Sequence, residues 1–115
     1  MYVRGMDELQ HQLSVIAEPS RFRIVELLRS GPHSVGGIVD ALGMAQPHVS
    51  RHLRLLAEAG LVDATRQAQQ RIYRLRPEPL RDIGAWAQSF AVLWTERLDR
   101  LGDFLDDTDP NGDRT

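Results

Sequence analysis

The sequence predicts a mostly α-helical domain with one small β-hairpin. Apolar residues recur at helical spacing in five segments, most of which end at Pro or Gly. Only residues 61–76 show the partial alternation of apolar and polar side chains that is typical of paired strands. The 115 residues are enough for one compact domain, and because the chain has no cysteine, disulfides and thiolate metal ligands are excluded.

Proline and glycine delimit the first two helices. Residues 6–17 carry an apolar stripe that includes Leu9 and Leu13, and this helix stops before Pro19. Pro19 suits the first position of the second helix, which continues to the Gly31-Pro32 pair. We therefore expect two consecutive helices, preceded by a flexible N-terminus over residues 1–5.

A helix-turn-helix is predicted over residues 34–59. Ser34 is placed to cap a short helix, VGGIVDAL, which ends at Gly43, and a longer helix follows. A short helix, a Gly-containing turn and a second helix together make the motif. A hairpin over residues 61–76, with a polar turn near Gln67–Gln70, comes directly afterwards and makes the motif winged.

A long last helix is predicted from residue 80 to about residue 106. Nine apolar side chains recur along it, more than one small domain covers, so we expect an exposed apolar face that joins two copies of the chain. A small-molecule pocket between its aromatic rings is the alternative. The predicted dimer contacts on this helix are Trp86, Phe90, Leu93, Trp94, Leu98 and Leu101. Residues 107–115 are expected to form a disordered acidic tail, which leaves a single domain over residues 6–106.

Charge is unevenly distributed along the chain. The net charge is −2, but residues 44–76 hold six Arg and two acidic residues, whereas residues 77–115 hold four Arg and nine acidic residues. A basic middle and an acidic end predict a localised anion-binding face. Every one of these basic residues is Arg, which suits bidentate contacts to phosphate or guanine, although a GC-rich genome would also give an all-Arg chain.

The second helix of the motif presents a polar face. With Val49 at the centre of its buried side, Leu53 and Leu56 fall beside it at about 100° per residue. The exposed N-terminal half then carries Gln46, Pro47, His48, Ser50, Arg51 and Arg54. Such a face suits a DNA major groove, because Arg and Gln pair with base edges and residues near the helix N-terminus reach deepest.

Side-chain chemistry suggests a role for each of these residues. Arg51, which points straight outward, is predicted to pair with a base, guanine by preference, and Arg54 with a base or a phosphate. Ser50 and His52 are predicted to contact phosphates. Two arginines that flank the hairpin turn are expected to reach the DNA backbone or the adjacent minor groove; they are Arg66 and Arg71. A solvated polar face is the alternative.

The five residues HVSRH allow another interpretation. His48 and His52 stand four apart, which puts both imidazoles on one face of a helix, and paired histidines of this spacing bind zinc in other proteins. A pair supplies two ligands, however, while zinc sites use three or four protein ligands. Nothing nearby in the sequence supplies the others, so metal binding is the less favoured interpretation.

Three segments, EPSRFRIVELL, SVGGIVDALGMAQPHVSRHLRLLAEAGLV and RIYRL, resemble in this order the ArsR-type winged helix-turn-helix repressors of bacteria. The resemblance covers most of residues 9–76, and the run Q-P-x-V-S-x-H-L-x-x-L-x-x-A-G-L-V is its most specific part. It implies a homodimer, built largely from the first and last helices, that binds an operator and usually represses transcription. The dimer contacts that it implies on the first helix are Leu9 and Leu13. Two-fold symmetry then predicts an inverted-repeat operator.

The chain departs from this family where many of its members bind metals. Those members use cysteines at the start of the third helix, where this chain has Ser34, Val35, Gly36 and Gly37, or His and acidic ligands on the last helix, which here has no His. The run W-x(3)-F-x(3)-W in the last helix resembles a branch that does not sense metals. We therefore expect a regulator without a metal cofactor.

Other classes of protein find little support. No apolar run approaches the ~20 residues that span a bilayer, and MYVRGMDELQ lacks the apolar core of a signal peptide, so no membrane partner and a cytoplasmic location, nucleoid-associated on DNA, are expected. No catalytic constellation follows from spacing, which predicts neither an enzyme nor a cofactor. A sequence-specific, homodimeric repressor that binds double-stranded DNA is the leading hypothesis. The alternatives are a winged-helix protein-interaction module that does not read DNA and a metal-responsive regulator that uses His48 and His52.

Overall fold

The computed structural model describes the backbone of residues 4–108 and the side chains of residues 5–105 other than Trp94 and Phe104. The elements in chain order are α1 (Arg4–Ala17), α2 (Pro19–Leu28), β1 (His33–Ser34), α3 (Val35–Leu42), α4 (Gln46–Glu58), β2 (Val62–Gln67), β3 (Gln70–Leu75), α5 (Pro77–Gln88) and α6 (Ala91–Thr108). This order confirms the predicted fold class, a mostly helical winged helix-turn-helix. Residues up to Ile83 form one compact unit and those from Gly84 form another. The single domain expected over residues 6–106 stays a prediction.

The predicted boundary between the first two helices is confirmed. Glu18 has an extended backbone and caps α2, where its side chain accepts a hydrogen bond of 2.9 Å from the Arg21 backbone N–H. Pro19 follows at the first helical position, where a missing N–H leaves no hydrogen bond unmade. This cap places Glu18 and Arg21 side by side at the start of α2.

The turn between α3 and α4 is short and well defined. The Ser34 hydroxyl caps α3 by accepting a bond of 3.0 Å from the Gly37 N–H, as predicted. Gly43 ends the helix with a φ of 67°, a left-handed conformation that glycine adopts without steric cost. After this turn α4 begins at Gln46, and α3 packs against it.

The sheet has three strands in the order β1-β3-β2, and all neighbours are antiparallel. Strands β2 and β3 form the predicted hairpin, and Ala68 in its two-residue turn has a φ of 56°. The third strand, β1, was not expected, because two residues are too few to show alternation. It pairs His33 with Tyr73, so His33 is half-buried in a sheet.

The core lies in the first unit, among α1–α4 and the sheet. Its fully buried side chains include three from one face of α4, Val49, Leu53 and Leu56, as the helical spacing predicted. Each such side chain stabilises the fold by about 1.5–3 kcal/mol relative to solvent exposure. Burying this face fixes α4 on the body of the domain and leaves its opposite face exposed.

The predicted last helix is divided into two. The break lies at Ser89-Phe90, where the Ser89 hydroxyl donates a bond of 2.6 Å to the Trp86 carbonyl and the Phe90 N–H bonds to Ala87. A serine that bonds the backbone of the preceding turn competes with the regular helical pattern. The expectation of one continuous helix from residue 80 to about residue 106 is therefore wrong.

The ends of the described chain also differ from expectation. Helix α1 begins at Arg4, inside the segment expected to be flexible, and α6 continues to Thr108, two residues into the expected tail. Residues 1–3 and 109–115, where the rest of these two expectations falls, lie outside the described residues. Among the helices of the described chain, none combines the length and apolar character needed to cross a membrane.

Candidate nucleic-acid interface

The exposed face of α4 carries six of the residues predicted to contact DNA. They are all solvent-exposed: Gln46, Pro47, His48, Ser50, Arg51 and Arg54. Their exposure follows from the burial of Val49, Leu53 and Leu56 on the opposite side of the helix. The structure thus gathers these side chains on one surface of the motif.

A concave surface joins α4 to the hairpin. This groove, of about 550 Å³, is lined by Val35, Pro47, Ser50, Arg51, Arg54, Arg71 and Tyr73. It brings Arg71 of β3 to the same surface as the two arginines of α4, which sequence spacing alone did not establish. A second groove, lined among others by Arg66, Arg71 and Tyr73, adjoins it, so Arg71 borders both.

The hairpin register places Arg66 and Arg71 directly opposite each other. Like charges at opposite positions of an antiparallel pair destabilise it, so this pairing disfavours the hairpin unless an anion lies between the two guanidinium groups. Three residue pairs further from the turn, charge is balanced instead: Arg74 faces Asp63, and its Nε donates a bond of 2.8 Å to the carboxylate. The end of the hairpin next to the turn is therefore basic, whereas the end further from the turn is balanced in charge.

The arginines of this surface lack anionic partners. Across the described part of the chain, Arg51, Arg54, Arg66 and Arg71 have no ion pair or side-chain hydrogen bond. Others are paired, as Arg29 is with Glu26 at 2.6 Å. Four exposed guanidinium groups without partners make a surface of positive potential, the electrostatic requirement for binding a phosphate backbone.

His52 does not belong to this surface. Its side chain is only 3% exposed, and its Nδ1 accepts a bond of 3.1 Å from Arg21 Nη1 while lying 3.9 Å from Glu18 Oε1. The phosphate contact expected of His52 is therefore wrong. Its imidazole lies beside Arg21, in the first turn of α2, and Glu18, which caps that helix.

The two histidines of HVSRH do lie together. Their rings meet edge to face with centroids 4.4 Å apart, and His48 Nε2 lies 3.2 Å from the Ser20 hydroxyl. Because Arg21 already occupies Nδ1 of His52 and the other ring nitrogen is buried, this pair presents no open set of metal ligands. Among the described residues no group of three His, Cys, Asp or Glu side chains could hold a metal ion.

Burial also affects the charge states in the corner formed by Glu18, Arg21 and His52. Burial lowers the pKa of the His52 imidazole below its usual 6.5, and this outweighs the opposing effect of the Glu18 carboxylate. The hydrogen bond from the Arg21 backbone N–H lowers the pKa of Glu18 below its usual 4.5. At neutral pH the corner therefore holds a neutral His52 between an anionic Glu18 and a cationic Arg21.

Sequence reasoning missed the residues of α2 that touch α4. The sequence of EPSR predicted only a helix boundary and part of the family resemblance. In the structure, Glu18, Ser20 and Arg21 each contact a histidine of α4. A signal was present, because an N-cap and an arginine three residues later lie at one end of a helix. Residue spacing does not reveal that α2 packs on α4. It therefore could not connect Glu18, Ser20 and Arg21 to histidines that lie 28–34 positions further along the chain.

The predicted dimer contacts have different surroundings. Leu9 is buried within its own protomer at 8% exposure, so the contact expected of it is wrong, and Leu13 is half-buried. The exposed ones belong to the second unit: Trp86, Phe90, Leu93, Leu98 and Leu101. The Trp86 and Phe90 rings pack edge to face, 5.2 Å apart. The side chain of Trp94 lies outside the described residues.

Comparison with known proteins places the fold in a family. Residues 18–64 match the family described as bacterial regulatory protein, arsR family. The HTH-type transcriptional repressor SmtB of Mycobacterium tuberculosis is 38% identical over 78 residues, which are 68% of this chain and 58% of that protein. This chain thus spans little more than half the length of that repressor.

Two further relatives match this chain over a larger share of their own length. The HTH-type transcriptional regulator Rv2034 of Mycobacterium tuberculosis is 33% identical over 91 residues, 79% of this chain and 82% of that protein. The homodimeric winged helix-turn-helix DNA-binding domain of Mb0332 from Mycobacterium bovis is 28% identical with a TM-score of 0.61, over 83% of this chain and 85% of that one. The chain therefore belongs to the ArsR family of bacterial winged helix-turn-helix regulatory proteins, which are regulators of transcription and not enzymes.

Proposed function

We propose that this protein is a sequence-specific transcriptional repressor that binds double-stranded DNA. The observation that carries the proposal is the groove shared by α4 and the hairpin, where Arg51, Arg54 and Arg71 meet on one concave surface. Arginine without an anionic partner is free to bind phosphate oxygens or the acceptor atoms of guanine. An N-terminal helix face of Gln, Ser, His and Arg has the donors and acceptors that base edges require.

Position on the surface suggests how the contacts are divided. Arg51 and Arg54 lie on the exposed face of α4 and would enter the major groove, where Arg51 pairs with a base and Arg54 with a base or a phosphate. Gln46, His48 and Ser50 would contact base edges or phosphates near the helix start. The opposed arginines Arg66 and Arg71 would hold a phosphate between them, since an anion relieves their mutual repulsion.

The functional unit in this proposal is a homodimer. Leu93, Leu98 and Leu101 of α6 are 46%, 60% and 52% exposed, which leaves an apolar surface that a second copy would cover. Mb0332 is homodimeric by the description of its structure. Two-fold symmetry requires an inverted repeat whose half-sites are about one helical turn, or a multiple of it, apart.

Thiolate-based metal sensing is excluded for this chain because its sequence has no cysteine. The packing of His52 against Arg21 also removes one of the two histidines on which a His48–His52 metal site would depend. We therefore propose regulation without the usual metal sites of the family.

Selection of duplexes from a random DNA pool with the purified protein tests the proposal. The expected motif is palindromic, and footprinting should protect both half-sites. Failure to retain any duplex at low salt would favour the alternative, a winged-helix module that binds protein and not DNA. An asymmetric motif bound by one protomer would refute the dimer while leaving DNA recognition intact.

A pair of variants tests the recognition surface. Arg51→Ala should weaken binding to the selected motif by about 1–3 kcal/mol, the discrimination of one bidentate base contact, with a smaller effect on random DNA. Arg81→Ala is the matched control, because Arg81 is exposed on α5 and also lacks a partner among the described residues. Equal weakening on both kinds of DNA would make Arg51 a phosphate contact.

A further inference from the structure

The packing of α2 on α4 has a consequence beyond burial of apolar surface. Arg21 donates through Nε to the Val15 carbonyl at 2.7 Å and through Nη1 to His52 Nδ1 at 3.1 Å. Val15 lies near the end of α1, Arg21 in the first turn of α2, and His52 in the middle of α4. One guanidinium group therefore connects three helices, two of which are otherwise separated in sequence by the whole of α3.

The bond from Arg21 fixes the protonation state of His52. A guanidinium group only donates hydrogen bonds, so His52 Nδ1 must be the acceptor and the ring proton must be on Nε2. That nitrogen is buried and has no hydrogen-bond partner. Buried polar groups are seldom left without a partner, and those that are call for an explanation. A leucine would fill this position without burying an unpaired Nε2 donor, so packing alone does not account for a histidine here.

His52 also supports a residue of the exposed face. The His48 and His52 rings pack edge to face, and His48 Nε2 reaches the Ser20 hydroxyl at the start of α2. His48 is thereby held between the buried His52 ring and α2, and it directly precedes Val49 and Ser50 in α4. Through the contact between the two histidine rings, the Arg21–His52 bond thus affects how the DNA-facing side chains are oriented.

We propose that His52 is a positioning residue for the DNA interface, and that Arg21 and Glu18 hold it so that α4 presents His48 and Arg51 at a fixed rotation. This rests on the proposed function, since it concerns how the same surface is aligned. His52 accepts a bond that only its neutral form can accept, so protonation at Nδ1 breaks the contact with Arg21. The charged and titratable groups that face it are Glu18 and Arg21 from α2 and His48 and Arg51 from α4.

Two variants of His52 separate positioning from simple packing. His52→Leu keeps the volume and burial but removes the acceptor, whereas His52→Asn places an amide oxygen near the position of Nδ1 and does not titrate. We expect His52→Leu to weaken DNA binding about tenfold, within the range of typical coupling free energies, and His52→Asn to restore most of that loss. Thermal unfolding and circular dichroism establish that each variant is folded before its affinity is measured.

The pH profile of DNA affinity supplies a readout that a structural role would not alter. The profile of the unmodified chain is compared with that of His52→Asn, because the two proteins differ in no other titratable group. The affinity of the unmodified chain should fall relative to that of His52→Asn as the pH drops below 6.5.

The outcomes distinguish the two proposals. Failure of the unmodified chain to bind any DNA would overturn the proposed function itself. A folded His52→Leu variant with unchanged affinity would overturn the positioning role and leave the proposed function standing. If His52→Leu does not fold, a folded His52→Asn variant that retains the acid-dependent loss of affinity would overturn it equally.

Discussion

The dependence of DNA affinity on salt tests the proposed surface without knowledge of the operator. The surface holds four arginines that have no partner in the described chain, two on α4 and two on the hairpin. Each arginine that neutralises a phosphate releases condensed counterions, so the logarithm of affinity falls with the logarithm of salt concentration. The number of contacts can therefore be obtained from a slope measured on random-sequence DNA.

The expected slope follows from this count. Because Arg66 and Arg71 share one phosphate in the proposed complex, a dimer neutralises six phosphates through its arginines, or four if Arg51 contacts a base in each protomer. At about 0.9 per phosphate, the expected slope is about −5 or about −4. Between about 50 and about 200 mM salt, this corresponds to a loss of affinity of about 10²–10³. Arg66→Ala combined with Arg71→Ala should make the slope shallower by about 2, because a dimer then loses two phosphate contacts.

Fluorescence anisotropy of a labelled random duplex, titrated at several salt concentrations, measures the slope. Arg81→Ala serves as the control and should leave it unchanged. A slope shallower than about −2 for the unmodified protein would mean that the arginines of α4 and the hairpin do not lie on the DNA backbone together, and the proposed surface would be refuted.

Further predictions concern the hairpin, the buried histidine and the dimer. Ala68→Gly should raise the free energy of unfolding by about 0.5–1 kcal/mol in urea denaturation, because glycine relieves the left-handed backbone at φ 56°, whereas Ala64→Gly within β2 should lower it. Folding lowers the pKa of His52 below its unfolded value of 6.5, so the unfolded chain takes up the proton first and the free energy of unfolding should fall as the pH drops below 6.5. His52→Leu should remove this loss; a variant with the same dependence of stability on pH as the unmodified chain would contradict the prediction. Leu98→Glu combined with Leu101→Glu should convert a dimer to a monomer in analytical ultracentrifugation, and a variant that stays dimeric would exclude this face of α6.

Much of the fold followed from local patterns in the sequence. The burial of Val49, Leu53 and Leu56 follows from helical periodicity, and the cap at Ser34 and the stop at Gly43 follow from the chemistry of helix ends. These features depend on residues within one turn of each other. Because the outward face of α4 is the complement of its buried face, the candidate DNA contacts on it could be predicted by the same reasoning.

What the sequence did not predict depended on distant packing. Burial of His52 required Arg21 and Glu18, which approach it only when α2 packs on α4. The pairing of Arg66 with Arg71 required the hairpin register, and the division of α5 from α6 occurs where the Ser89 hydroxyl bonds the Trp86 carbonyl. Each of these is a contact between particular atoms, which periodicity and composition do not encode.

The opposition of Arg66 and Arg71 makes the hairpin sensitive to the ions around it. Two facing cations near the turn oppose the ladder that Asp63 and Arg74 strengthen further along. Sulfate or phosphate in a buffer would occupy the gap and slow hydrogen exchange at the outer amides of β2 and β3, where chloride would do so less. The free hairpin should therefore open most readily where it would hold DNA, and the duplex itself would supply the counterion that closes it.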